Sequence, residues 1–134
     1  MQTLFHVFLS SLALPVPKRV LTFFRYLKIY PNGDGDGAGR GNSLSLHIVA
    51  NNTEPNVKAY LGAKLRILDQ RKTSPGHAEK QSDSWSDTPG RGWGFPQFVS
   101  FPDLNDSSKG YIVGDKLTVE VEFLEFSKTD YYPS

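Results

Sequence analysis

This sequence predicts an all-β fold, a β-sandwich. Three observations predict it. The run Leu117-Thr-Val-Glu-Val-Glu-Phe123 alternates apolar and polar residues with the two-residue period of a half-buried strand. Further runs of this kind recur along the chain, separated by clusters of Gly, Pro, Asn and Ser, the spacing of a sandwich. No segment carries a long apolar repeat of 3.6 residues, so no amphipathic helix competes for the core.

The 134 residues suit one domain, since a chain of this size buries roughly two thirds of its unfolded surface without staples. A hydrophobic fraction of 38%, rich in Phe, Leu, Ile and Val, argues against disorder. The net charge of +1 gives no drive toward nucleic acid or acidic membranes. With no cysteine, there is no disulfide, no thiolate metal site and no cysteine nucleophile.

Residues 1–21 read as an atypical leader. Met1 to Val16 is apolar and similar to a signal-peptide core, yet no positive charge precedes it. Pro15-Val-Pro-Lys-Arg19 is a poor cleavage site, and the run is shorter than the roughly 20 residues that span a bilayer. A leader, a replacement first strand and a helical or disordered arm all stay open. Unless it is that strand, the segment should add little to the core. The sequons at Asn51 and Asn105 matter only in a secreted chain.

The domain proper is expected over residues 22–126, with 127–134 as a tail. Phe23 to Tyr30 reads as a strand halted by Pro31-Asn-Gly33, and residues 32–42 are a Gly-rich connection. Ser43 to Ala50 is a strand with Leu44, Leu46 and Ile48 on one face and Ser45 and His47 on the other. After a turn, Val57 to Leu68 makes a long strand. Residues 69–84 are polar and read as a loop or ragged hairpin, in which Glu79, Asp83 and the following Asp87 are solvated charges. Short segments around Trp85 and Phe95–Ser100 lead through a connection with one helical turn, Pro102 to Lys109, into Tyr111–Val113 and Asp115–Phe126. The expected core is Leu44, Leu46, Ile48, Leu65, Ile67, Phe98, Leu117, Val119 and Val121.

Catalytic and metal chemistry find no foothold. Asn32-x-Asp34-x-Asp36-Gly37 imitates the start of an EF-hand loop, but its twelfth position is Ser43 and its flanks are strands. The glycines at 35, 37, 39 and 41 lack the Lys-Ser/Thr and helix of a phosphate cradle. His6, His47 and His77 share no ligand spacing, and no serine sits in a nucleophile elbow. No enzyme activity, cofactor or metal is expected.

Leu27-Lys-Ile-Tyr-Pro-Asn-Gly33, Ser43-Leu-Ser-Leu46, Trp85, Trp93-Gly-Phe95 with Phe98, and Gly110-Tyr-Ile-Val-Gly-Asp-Lys-Leu117 occur in an order and spacing that resembles the MATH (meprin and TRAF homology) domain. The likeness runs from about Phe24 to Phe123. It is nearest to plant members, including the domain that precedes some ubiquitin-specific proteases. Two features depart from the family pattern. No Phe-x-Trp-x-Ile opening strand is present, and Arg25 stands where a tryptophan is usual.

The resemblance implies an antiparallel β-sandwich of eight strands, or seven if the atypical first one is lost, that binds short peptide segments of other proteins in a shallow groove. It places that groove at His47, Ala63, Trp85, Trp93, Gly94 and Phe95. Strand parity agrees for His47, which faces away from Leu44 and Leu46. Parity also puts Trp93 and Phe95 on one face and Phe98 on the other, in the core. The alternative is that all these aromatics are core and His47 is an ordinary surface residue. In relatives the peptide adds as a strand beside Trp-Gly-Phe, and here Pro96, lacking an N–H, shortens that ladder.

The expected function is therefore a peptide-recognition module, with an adaptor role in ubiquitin-linked pathways as an implication of the likeness. The competing expectation is a structural domain that self-associates, as a homo-oligomer, without a dedicated ligand. Partners are peptide segments of proteins, with no nucleic acid and no membrane span. The expected compartment is the cytoplasm, with the nucleus and secretion left open.

Overall fold

The computed structural model describes residues 4–11, 24–33, 40–50, 57–71, 76–86 and 92–130. Eight strands lie within them: β1 (Leu4–Ser11), β2 (Phe24–Tyr30), β3 (Ser43–Ala50), β4 (Val57–Ile67), β5 (Ala78–Ser86), β6 (Gly92–Ser100), β7 (Ile112–Val113) and β8 (Lys116–Asp130). One sheet has the order β1-β8-β4-β5, with β7 also on β8, and the other has the order β2-β3-β6. The EF-hand imitation at 34–36, the sequon at Asn51, Asp87, the Arg25 side chain and most of the leader lie outside the described residues. No helix among those residues is long and apolar enough to cross a membrane.

Alternation builds the larger sheet. In β4 the inward residues Ala59, Leu61, Ala63, Leu65 and Ile67 are at most 1% exposed, while Tyr60, Lys64 and Arg66 face out. Burying a Leu or Ile side chain is worth about 1.5–3 kcal/mol. A one-residue slip would put all five in water and a guanidinium in the core, so the register is unique. In β8, Leu117, Val119, Val121 and Phe123 point inward against them. Gly62 then pairs with Glu125 but Ala63 with Phe123, leaving Leu124 as a bulge. The extra residue resets the alternation, which is how Phe126 also turns inward. Every core residue expected from the sequence is buried.

Three expectations need correction. Residues 78–86 are a regular strand in full register with β4, from Ala59↔Ser86 to Ile67↔Ala78, neither the loop nor the ragged hairpin expected of 69–84. They were misread because β5 is a sheet edge, where polar residues are tolerated at either parity. Glu79 is accordingly no free solvated charge. It joins Glu120 and Glu122 around the Arg66 guanidinium, at 2.5 Å to Glu79 and 2.6 Å to Glu122.

Antiparallel pairing also has one exception: β1 runs parallel to β8, from Leu4↔Lys116 to Ser11↔Phe123. The two strands are remote in sequence, so no hairpin imposes the antiparallel sense.

A short helix, α1 (Phe101–Leu104), follows β6. The hydroxyl of Ser100 caps it by accepting from the Asp103 amide at 3.3 Å, and Leu104 is buried beneath it. Gly114 and Asp115, both at positive φ, make the two-residue turn between β7 and β8.

A buried carboxylate ties the loops at this end together. Asp69 accepts from the Gly76 amide at 2.7 Å and from both the backbone and the guanidinium of Arg71. Arg71 in turn donates to the Ser108 carbonyl. A Cβ on Gly110 would stand 2.3 Å from the Asp69 carboxylate, so only glycine fits there. The Arg71 contact, helped by the two amides, holds the Asp69 carboxyl well below the usual carboxylate range.

Candidate functional site

The β5 and β6 edges meet along one flank of the sandwich, and most of the expected site residues lie on these two strands. Among the described residues, β6 is paired on its β3 side only. The Trp93 indole Nε1–H donates to the Ser84 carbonyl of β5 at 2.9 Å. The Lys80 ammonium of β5 donates to the Gln97 carbonyl of β6 at 2.8 Å and lies 5.6 and 5.9 Å from the ring centres of Phe95 and Phe98. Cation–π attraction thus adds to a direct hydrogen bond in fixing the two edges together.

Trp93 is 4% exposed and sits on the inner face across from Ile48. Phe98 is equally buried, as is its neighbour Val99, so the expected opposition of Trp93 and Phe98 does not hold. The cause is local. Leu44 pairs with Val99 and Leu46 with Phe95, leaving Pro96, Gln97 and Phe98 opposite Ser45 alone. Alternation fails across that irregularity, and Phe98 turns inward within it. Pro96 sits where the ladder is already interrupted, so its missing N–H costs the β3 pairing nothing. The Ser45 hydroxyl donates to the Pro96 carbonyl and holds the distortion in place.

Phe95 is half-buried across from Leu46, with its ring 5.9 Å from that of Phe98. Ala63 is fully buried on the inner face of β4. On the outer face of the smaller sheet, His47 pairs with Gly94 and its ring covers the glycine. A Cβ at position 94 would lie 2.2 Å from the imidazole Nδ1. Tyr30 meets the same imidazole edge-on at 5.7 Å.

Trp85 lies on the outer face of the larger sheet, 55% exposed, in a T-shaped contact with Tyr60 at 5.4 Å. The structure therefore brings His47 to Gly94, and Trp93 to Phe95. It joins Trp85 to this group only through the adjacent Ser84, and it places Ala63 apart in the core.

Tyr60 was not anticipated as a site residue. It was legible in β4, where it alternates with Ala59 and Leu61 and so had to face out. Partial burial, with Asp83 and Glu125 nearby, raises the pKa of its phenol. No group of three or more His, Cys, Asp or Glu among the described residues could hold a metal.

A family model described as the MATH domain matches residues 25–123. A comparison with curated proteins finds none that matches.

Proposed function

We propose that this chain, which belongs to the MATH-domain family, docks an extended peptide segment of a partner protein along the open edge of β6. The MATH domain is a protein-interaction module, and an open strand edge beside aromatic side chains is what strand addition requires. The observation that carries the reading is that, among the described residues, β6 is paired on one side only while Trp93 and Lys80 brace it against β5. A braced edge loses little freedom when a ligand strand adds to it.

In this reading Gly94 and Phe95 supply the backbone edge. His47 borders it on the outer face, and Trp85 offers an exposed aromatic across the flank. Trp93 shapes the wall from inside without touching the peptide, and Ala63, buried in β4, takes no part. The irregularity at Pro96 ends the ladder, so the peptide pairs with the stretch from Gly92 to Phe95 and binds weakly. An adaptor role in a ubiquitin-linked pathway is the finer form of this proposal, resting on the family likeness alone.

A screen of peptide arrays, run beside light scattering of the pure protein, tests it. Binding should be one to one and should slow amide exchange at Gly94 and Phe95. A protein that self-associates and retains no peptide would replace this reading with the structural one.

A further inference from the structure

We infer that the outer face of the larger sheet, at Tyr60 and Trp85, receives a lysine or arginine side chain of the docked partner segment. The inference rests on the peptide-docking reading and specifies the chemistry of what docks.

Trp85 exposes more than half of its surface beside the ring of Tyr60. Between these rings and the rest of the face lies Gly62, which pairs with Asp83 on one side and Glu125 on the other. A Cβ on Gly62 would sit 2.9 Å from Asp83 Oδ1 and 3.5 Å from the Glu125 Cβ, so both acidic side chains flank a bare stretch of backbone next to the aromatics. Asp83 Oδ2 accepts from the Gln81 side chain at 2.6 Å, a neutral donor that brings no counter-charge.

The face divides by charge. Glu79, Glu120 and Glu122 are all taken by Arg66. No ion pair among the described residues takes up Asp83 or Glu125. Of the described side chains on this face, Lys64, Arg66 and Lys116 are cationic and Glu79, Asp83, Glu120, Glu122 and Glu125 are acidic, a balance of 3 − 5 = −2. The raised pKa of Tyr60 reports partial burial and the negative potential of the same two carboxylates.

An aromatic face attracts a cation through its quadrupole, most strongly for tryptophan. Adjacent carboxylates add charge-assisted hydrogen bonds to the same head group. A neutral side chain lacks the charge that both interactions draw on, and an acidic one meets like charge. Trp85 adjoins Ser84, whose carbonyl holds Trp93 of β6, so one extended peptide can engage the β6 edge and this patch together.

The test is selection of a displayed library of random peptides against the whole chain. The recovered peptides should share a Lys or Arg at one position. Replacing that residue by norleucine should weaken binding about tenfold, as should the Asp83→Asn, Glu125→Gln double variant, and added salt should do likewise. Circular dichroism of the double variant confirms that it is folded. Recovered peptides without a shared cationic position, or affinities untouched by the double variant, would overturn this inference and leave peptide docking standing. Recovery of no peptide at all would overturn both.

Discussion

The Trp93 indole donates its hydrogen bond to the carbonyl of Ser84 at 2.9 Å, joining the edge strand of one sheet to the edge strand of the other. An aromatic side chain that the family resemblance assigned to a binding surface is instead a clamp between the layers, 4% exposed. Trp93→Ala should therefore destabilise the fold by about 3–5 kcal/mol, as much as Phe98→Ala. Trp93→Phe, which keeps most of the packing and leaves the Ser84 carbonyl to water, should lose about 1 kcal/mol. Urea denaturation of the three variants measures both; a Trp93→Ala variant as stable as the parent chain would refute the clamp.

Trp85 offers the opposite case. Its ring is mostly in solvent, so Trp85→Ala should change unfolding free energy by no more than about 0.5 kcal/mol. The same variant should weaken peptide binding by roughly 2 kcal/mol if the ring is an anchor. Parallel thermal melts and titrations separate the two effects, and a large loss of stability would show the ring to be structural.

Gly94 is demanded by its neighbour rather than by its backbone. A methyl there would strike the His47 ring at 2.2 Å and the Leu46 carbonyl at 2.5 Å. Gly94→Ala should cost about 1–3 kcal/mol. Adding His47→Ala should recover part of that loss, but only part, because the carbonyl cannot move aside. A double-mutant cycle reads the coupling, and strict additivity would mean that the ring does not lie over the glycine.

Asp69 should govern the acid limb of the stability curve. Its folded pKa is held below that of the unfolded chain, chiefly by the Arg71 side chain. Such a group binds more protons when unfolded, so stability rises with pH through its titration. The contribution is complete above the ordinary aspartate pKa of about 4 and is lost as pH falls below it. Asp69→Asn should be less stable at neutral pH and should show a flatter decline in acid. Equal acid slopes for the two proteins would count against this assignment.

The first strand supplies a test by truncation. β1 forms a parallel ladder along β8 from Leu4 to Ser11. Removing residues 1–17 should bare the β8 edge, lower stability by about 2 kcal/mol or more and promote association. A change under about 1 kcal/mol, with no association, would show that the segment adds nothing to the folded state.

Much of this architecture is written locally. The alternation in 43–50, 57–67 and 117–123 named the strands and their inner faces, because a residue's side of a pleated strand follows from its neighbours alone. The same logic turned His47 outward, and the ordered motifs from Leu27 to Leu117 pointed to the family that matches residues 25–123. Where the answer depended on pairing, local pattern had nothing to offer. β5 shows no clean alternation, since an edge strand is wet along one side, and only its register with β4 reveals it as a strand. Arg66 collects Glu79 from one neighbour and Glu120 and Glu122 from the other, a cluster that exists only once three strands lie side by side. Trp93 and Phe98 share the core because three residues of β6 bow past one residue of β3. That bow is set by the competition between two strands for one ladder, a non-local free energy that no reading of parity contains.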